Sequence, residues 1–339
     1  MVTTEPFRMP TLDELLATAR VVSLPMKVKF RGVLRREVML FNGPAGWAEF
    51  SPFTEYDDGE AASWLRAALE AGWQGFPEPV RTSVPVNATV PAVAPEDVPA
   101  VLARYDGPKT VKIKVAERGQ SLEDDVARVA AVSAAAPGSA LRVDANGGWD
   151  VPTAVEALTL LAEYGLEYAE QPAPDIDGLR QVRLELRRRG IGTLIAADES
   201  VRKESDPLLV AREEAADLIV VKAQPLGGVR RALDIVAQAG LPAVVSSALD
   251  SSVGISAGVA LAAALPELPY ACGLATVSLM DGDVTDRPLV PAGGELPVRQ
   301  VDVDEDLLER YAAPAERQQW WTDRLERTYR TLAEVAAAR

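Results

Sequence analysis

Apolar and polar residues alternate along the first part of the chain, at the period of two that is typical of half-buried strands. Residues 21–30 and 37–40 form two such runs, and a shorter run follows at residues 47–50. Residues 61–71 have helical spacing instead, with the larger apolar side chains on one face. These patterns predict a hairpin or meander followed by a helix, and therefore a small α+β domain over residues 1–83.

The pattern changes near residue 84, where short apolar runs begin to alternate with amphipathic helical stretches. There are eight such runs, at residues 84–90, 110–115, 140–144, 166–170, 193–197, 218–222, 243–247 and 271–276. Strands that alternate with helices predict a parallel sheet, and eight strands close a barrel. An open, doubly wound sheet is the alternative, but no glycine-rich phosphate-binding sequence follows the first run. Polar residues also recur at the ends of many runs, so we predict an α/β fold with a (β/α)8 barrel over residues 84–286.

A segment rich in proline and glycine follows the predicted barrel, and two helical stretches come after it, at residues 305–311 and 315–338. Trp320 and Trp321 give the second stretch a large apolar surface. We expect residues 287–339 to pack back on the first domain or on the barrel.

The composition narrows the class of function. The chain has 339 residues and a net charge of −15, which argues against a nucleic-acid partner or an anionic membrane surface. Its single cysteine, Cys272, permits no internal disulfide. The start of the chain does not resemble a secretory signal, and the longest apolar stretch, residues 253–265, is too short to span a bilayer. We therefore expect a cytoplasmic protein, with the oligomeric state left open.

Histidine is absent from the sequence. This excludes a histidine general base, a Ser-His-Asp triad and a histidine-bound zinc ion. Acid/base chemistry near neutral pH then falls to lysine, aspartate, glutamate, tyrosine or the one cysteine.

Three acidic residues close three successive apolar runs: Asp144, Glu170 and Asp198. An acidic residue at the end of one strand more often caps the next helix. Three in register weaken that interpretation, and Glu170 precedes Gln171-Pro172, where no helix begins. If the runs are neighbouring parallel strands, the three carboxylates meet at one edge, which favours a metal site. An all-carboxylate site favours Mg²⁺ over Zn²⁺.

Lysines accompany the acidic residues. Lys112 and Lys114 share one face of their strand, because side chains at i and i+2 point the same way, while Val111 and Ile113 occupy the other. Since the apolar face packs against helices, the lysines must face the barrel interior, where the carboxylates supply counter-charges. Lys222 closes another apolar run, and a charge there favours a position at the same edge.

A serine-rich segment, residues 246–254, follows the seventh run. Its hydroxyl and N–H groups suit a substrate carboxylate. A loop that caps the next helix is an equally good interpretation of this segment.

The order Lys-X-Lys, Asp-X-Asn, Glu-Gln-Pro, Asp-Glu-Ser and Lys resembles the enolase superfamily, and specifically its muconate-lactonizing-enzyme subgroup. Within that subgroup the chain is similar to the o-succinylbenzoate synthase family, whose cap-domain loop residues 46–53 resemble. The resemblance covers most of the chain. It implies a modified (β/α)8 TIM barrel with an N-terminal α+β capping domain that the C-terminal segment completes.

The resemblance also implies a role for each residue that matches the motif. Asp144, Glu170 and Asp198 would be ligands of Mg²⁺, for which Mn²⁺ is an expected substitute. Lys114 would be the acid/base catalyst, with Lys222 on the opposite face of the substrate. The implied substrate-binding residues are Lys112, Arg142, Asn146, Ser246, Ser247 and Gly254.

The activity that the resemblance implies is the Mg²⁺-dependent dehydration of 2-succinyl-6-hydroxy-2,4-cyclohexadiene-1-carboxylate to 2-succinylbenzoate, a step of menaquinone biosynthesis. Lysine would remove the proton alpha to the carboxylate of this small-molecule substrate and form an enediolate. An N-succinylamino-acid racemase is the main alternative, because two facing lysines also suit racemisation, and one protein with both activities is a further one. A non-catalytic barrel and a phosphate-handling barrel are weaker alternatives.

Overall fold

The computed structural model of the chain describes residues 9–30, 33–201 and 206–337. Residues 1–8, at the start of the predicted first domain, and residues 338–339, at the end of the predicted last segment, lie outside the described residues. Within the described ranges the chain forms an antiparallel meander, then alternating strands and helices, and then two further helices.

The meander and the helices around it are called the cap. Its strands are β1 (Arg20–Phe30), β2 (Val33–Gly43) and β3 (Gly46–Phe50), and its helices are α1 (Leu12–Thr18) and α2 (Asp58–Leu69). The side chains of Thr11 and Asp57 accept backbone N–H groups at the starts of the two helices. The apolar residues of β2, Val38 to Phe41, are buried, and they pack the meander into the main core.

A parallel sheet of seven strands follows, in which strands that are consecutive along the chain are neighbours. Its strands are β5 (Ala88–Val90), β6 (Thr110–Lys114), β7 (Ala140–Asp144), β8 (Tyr168–Glu170), β9 (Leu194–Ala197), β10 (Leu218–Val221) and β11 (Ala243–Val245). Before it, β4 (Ser83–Pro85) pairs antiparallel with β12 (Glu295–Pro297). The carboxyl ends of β5 to β11 define the mouth of the barrel.

The sheet is closed by two residues and not by a full eighth strand. Cys272 forms a parallel bridge with Val86, and Gly273 forms one with Ser246. The predicted eighth strand, residues 271–276, is therefore wrong in length, because a 3₁₀ helix begins at Thr276. Val86 lies two residues before β5 and Ser246 one residue after β11, so these bridges bring the two edges of the sheet together.

Helices connect the strands of the sheet: α3 (Val98–Leu102), α4 (Leu122–Ala135), α5 (Val151–Leu161), α6 (Ile176–Arg188), α7 (Asp206–Arg212), α8 (Val229–Ala239) and α9 (Ser252–Ala264). Four of them begin at a side chain that accepts a backbone N–H group, namely Ser121, Asp150, Asp175 and Ser251. Val111 and Ile113 are fully buried in the large core, of which the helices form part. Lys112 and Lys114 consequently face the barrel interior, as the alternation predicts.

The chain then returns to the cap through α10 (Glu305–Arg310) and α11 (Ala315–Ala337). Ala312 bridges Val22 of β1, and α11 packs along α2. Trp321 is fully buried, and its ring meets Phe50 edge to face. None of the helices in the described ranges combines the length and the hydropathy that crossing a bilayer requires.

Candidate active site

The strand register places charged residues side by side at the mouth. Lys114 of β6 is opposite Asp144 of β7, and Asp144 is opposite Glu170 of β8. Asp198 follows the last residue of β9. Because these strands are parallel and in register, their carboxyl ends bring the three acidic residues to one side of the barrel.

A lysine ammonium bridges two of the carboxylates. Lys112 Nζ lies 3.0 Å from Asp144 Oδ2 and 2.9 Å from Glu170 Oε1. Burial acts to lower the pKa of Lys112, but the charges of Asp144 and Glu170 outweigh it and raise the pKa well above its ordinary value. Lys112 is therefore a fixed positive charge between two acidic groups.

Lys114 lies beside the same aspartate. Its Nζ is 2.6 Å from Asp144 Oδ2 and 2.6 Å from Asn146 Oδ1. Asn146 has a φ of 46°, a left-handed conformation that asparagine tolerates better than most residues, and its N–H donates to Asp144 Oδ1. The predicted Asp-X-Asn motif therefore holds Lys114 from two directions.

Lys222 follows β10 and pairs with Asp198, as Lys114 pairs with Asp144. Its ammonium donates to Asp198 Oδ1. The buried side chain of Gln171 orients this aspartate, because its Oε1 accepts the N–H groups of Asp198, at 2.9 Å, and of Ser200, at 3.2 Å. Gln171 belongs to the Glu-Gln-Pro motif, and these contacts show that it supports Asp198.

The acidic residues influence one another electrostatically. Burial, followed by repulsion from Asp144, raises the pKa of Glu170 to about 8, and Asp198 adds to the rise. Burial also acts to raise the pKa of Asp144, but Lys112 and Lys114 outweigh it and hold that pKa far below its usual range. The cluster therefore needs positive charge nearby to remain ionised.

The three carboxylates suit a divalent cation, although each of them is paired with a lysine ammonium in this structure. In the ranges that the structure describes, no three acidic or thiol side chains are arranged as a ready set of metal ligands. Each carboxylate of the trio faces an ammonium instead. Carboxylate oxygens are the ligands that hard divalent ions prefer, and the ammonium of Lys112 already bridges Asp144 and Glu170 as a cation.

The three lysines, Asp144 and Asp198 line a small cavity of about 40 Å³ at the mouth, while Glu170 and Asn146 lie outside its lining. Sequence reasoning identified seven of its lining residues: Lys112, Lys114, Asp144, Asp198, Lys222, Ser246 and Ser247. It missed five others: Thr89, Ala248, Leu249, Gly273 and Thr276. Thr89 stands one residue before the end of its apolar run, as Lys114 does in the next run, which is a signal that the sequence does contain. Ser247 Oγ lies 2.8 Å from Thr276 Oγ1, a pairing that only the fold reveals.

Arg142 does not reach this cavity. Its Nε is 2.6 Å from Glu167 Oε2 and its Nη1 is 2.7 Å from the carbonyl of Ala271, and its guanidinium stacks over the ring of Tyr168. These partners lie toward the amino-terminal ends of the strands, and the side chain is fully buried. The structure therefore does not bring Arg142 to the cavity that the other predicted substrate-binding residues line.

Gly254 also lies away from the cavity. It belongs to the first turn of α9, and its N–H donates to Glu49 Oε2 of the cap. A Cβ atom at this position would lie 2.8 Å from Glu49 Cδ. The structure therefore places Gly254 against the cap and not at the cavity, and the close approach of Glu49 explains why glycine is needed there.

Comparison with known protein families identifies both parts of the chain. Residues 21–72 match the family model described as enolase N-terminal domain-like, and residues 97–302 match the one described as enolase C-terminal domain-like. Among solved structures, the muconate lactonizing enzyme from Pseudomonas putida covers 87% of this chain and is itself covered over 98%, with a TM-score of 0.70 and 19% identity. This likeness confirms the predicted modified TIM barrel with an N-terminal cap.

Curated relatives are much closer in sequence. The o-succinylbenzoate synthase of Mycolicibacterium smegmatis is 54% identical over 93% of this chain and 96% of its own length. That of Thermobifida fusca is 56% identical over 86% of this chain and 90% of its own length. Enzymes of the enolase superfamily generally depend on a divalent metal. The chain therefore belongs to the o-succinylbenzoate synthase family of the enolase superfamily.

Proposed function

We propose that the chain is a hydro-lyase that converts 2-succinyl-6-hydroxy-2,4-cyclohexadiene-1-carboxylate into 2-succinylbenzoate for menaquinone biosynthesis. The similarity to o-succinylbenzoate synthases over most of the chain supports this reaction. The observation that carries the site assignment is the cavity that Lys114 and Lys222 line together, each beside its own aspartate.

Lys114 is the acid/base catalyst in this proposal. In its neutral form it accepts the proton from the carbon alpha to the substrate carboxylate, and the electron pair of that bond forms an enediolate. The same ammonium then donates a proton to the departing hydroxyl group, so one molecule of water leaves. Asp144 and Asn146, each 2.6 Å from Nζ, keep the amine in place for both transfers. A single lysine acting on one face makes the elimination syn.

Lys222 acts as a cation and not as a base. Its ammonium beside Asp198 stabilises the negative charge that develops on the enediolate. Lys112, Asn146, Ser246 and Ser247 supply donors around the substrate. Arg142 and Gly254 have no substrate contact in this scheme, because their partners lie elsewhere.

Mg²⁺ is the cation that we assign to the site, with Asp144, Glu170 and Asp198 as its ligands and Mn²⁺ as a substitute. Once Lys114 gives up its proton, the three carboxylates outnumber the remaining ammonium groups, so the site then favours an added cation. When bound, the metal supplies positive charge next to the substrate carboxylate, where negative charge builds up.

The purified protein should dehydrate the cyclohexadiene substrate in the presence of Mg²⁺ and lose that activity in excess chelator, with recovery when Mg²⁺ or Mn²⁺ is returned. N-succinyl amino acids are tested in parallel. Racemisation needs an acid/base on each face, so Lys222→Arg should abolish a racemase but leave part of a dehydratase that needs only the charge. A wild-type protein that racemises but does not dehydrate would contradict the proposal.

Three coarser expectations accompany this function. The partner is a small-molecule carboxylate, and the cytoplasmic location expected from the sequence stays a prediction. The domain limits, residues 1–83, 84–286 and 287–339, likewise remain a proposal for how the chain divides.

A further inference from the structure

A buried arginine of the cap reaches across to the barrel. The side chain of Arg36, in β2, is almost completely buried. Its Nε donates to the carbonyl of Leu249 at 3.1 Å, and its Nη2 lies 3.4 Å from the carbonyl of Ala248. Both acceptors belong to the segment that follows β11, and both residues line the cavity at the mouth.

The same guanidinium holds a loop of the cap. Nη2 also donates to the carbonyl of Ser51, and the guanidinium carbon lies 4.5 Å from the centre of the Phe53 ring. Arg36 therefore joins the loop after β3 to the wall of the cavity. Its planar set of five donors suits several carbonyls at once, which an ammonium cannot match.

The barrel segment to which Arg36 donates, Ala248–Leu249, has a backbone conformation that needs support from its surroundings. Leu249 has a φ of 62°, in the left-handed region that costs free energy for a residue with a branched aliphatic side chain. Asp250 braces the segment from the other side, since its Oδ2 accepts the N–H of Ala248 at 3.1 Å and its Oδ1 accepts from Gln224 at 2.9 Å. Such a conformation persists where the surroundings hold it.

The charges around Arg36 also cross between the cap and the barrel. Burial lowers the pKa of Arg36, while Glu49 of the cap and Asp250 of the barrel act against that change. Glu49 Oε2 accepts the N–H groups of Ser251 and Gly254, so a carboxylate of the cap occupies the start of α9. Burial raises the pKa of Asp250, and the positive charges of Arg36 and Lys222 act against that rise. The electrostatic network thus extends from the cap to the lysine in the cavity.

We propose that Arg36 is a positioning residue, which holds Ala248 and Leu249 in the conformation that shapes the cavity wall. It touches neither the carboxylates nor the lysines in the cavity, and it acts through the carbonyls of this segment. The inference deepens the proposed function, because the wall in question faces the proposed substrate.

The first test does not depend on activity. Amide hydrogen exchange of residues 246–252 is compared in wild type, Arg36→Met and Arg36→Lys. Arg324→Lys is the matched control, because Arg324 is an equally buried arginine that donates to carbonyls of the cap loop, those of Pro52, Phe53 and Tyr56. We expect exchange of residues 246–252 to be about tenfold faster in Arg36→Met and less affected in Arg36→Lys. The control substitution should accelerate amide exchange in residues 52–57 only.

The second test measures kinetics at saturating Mg²⁺. Arg36→Met should raise KM about tenfold with a smaller change in kcat, because a displaced wall weakens binding and orientation. Arg36→Lys should restore part of the loss. The Mg²⁺ affinity of both variants, measured by calorimetry, should stay within about twofold of wild type, since Arg36 does not contact the proposed ligands.

Unchanged exchange of residues 246–252 in Arg36→Met, or equal acceleration in Arg324→Lys, would overturn the inference. A rise in KM together with weaker Mg²⁺ binding in both Arg36 variants would also overturn it. That result would indicate that the substitutions loosen the whole site and not only the segment at residues 246–252. If Arg36→Met does not fold, Arg36→Lys decides the question, with exchange of residues 246–252 about threefold faster than in wild type as the expected result. An inactive wild type would contradict the proposed function, while the exchange comparison would still decide the role of Arg36.

Discussion

At the scale of single residues, the lack of histidine determines where acid/base chemistry is located. A lysine is normally protonated near neutral pH and makes a poor base unless its neighbours change that balance. Here Lys112, Lys114 and Lys222 face three carboxylates in one buried cluster. Two of these lysines have distinct tasks in the proposed reaction, so they should respond differently to substitution.

Replacing the base is the most direct test at this scale. Lys114→Ala should lower kcat by about 10²–10⁴-fold, because general acid/base catalysis contributes that much. Steady-state dehydration assays at saturating Mg²⁺ measure the change. Lys109→Ala, which changes an exposed lysine just before the same strand, is the matched control and should retain wild-type kcat. Full dehydration activity in Lys114→Ala would rule out the role assigned to this lysine.

At the scale of elements, periodicity predicts strands well and the direction of long side chains poorly. Seven of the eight apolar runs contain ladder strands, because their β-branched residues pack between the barrel interior and the helices. The eighth run contributes only bridges at Cys272 and Gly273. Arg142 shares a face with Asp144, as the alternation requires, but its long side chain turns toward Glu167. That choice depends on a residue just before the neighbouring strand, so the sequence of β7 alone does not contain it.

The start of α9 is the element whose packing is most specific. Gly254→Ala should lower the free energy of unfolding by about 1–3 kcal/mol, because the new Cβ meets buried groups that have little room to move. Those groups are Glu49 Cδ, at 2.8 Å, and Asp250 Cβ, at 2.6 Å. Chemical denaturation measures the loss. Gly192→Ala, at a position with open space around it, is the control and should change stability by less than about 0.5 kcal/mol. Equal stability of the two variants would contradict the close packing.

At the scale of the whole molecule, buried ionisable groups join the cap to the barrel. Burial, followed by repulsion from Asp250, raises the pKa of Glu49 from its ordinary 4.5 to about 7. The folded state therefore holds a proton on Glu49 that the unfolded state releases above pH 4.5. As pH rises from 4.5 to 7, this difference removes stability, and above 7 the loss levels off.

Comparison with Glu49→Gln isolates this effect from other titrations. The free energy of unfolding of wild type, relative to the variant, should fall by roughly 3 kcal/mol between pH 4.5 and 7 and then remain constant. Denaturant titrations of both proteins at several pH values provide the measurement. A difference that stays flat over this range, or that grows in favour of wild type, would show that Glu49 is ionised throughout.

Because α11 packs on the cap, the order of synthesis determines when the cap can complete its fold. A ribosome produces the strands of the cap before the barrel, but the helix that packs on α2 and covers Phe50 with Trp321 is made after the barrel. Domains generally fold as they emerge, yet this one must wait for the barrel to be synthesised before its apolar surface is covered. The cap therefore depends on a helix that is synthesised after the barrel, and a premature stop within residues 315–337 would expose the cap to aggregation and proteolysis while the barrel sequence remained complete.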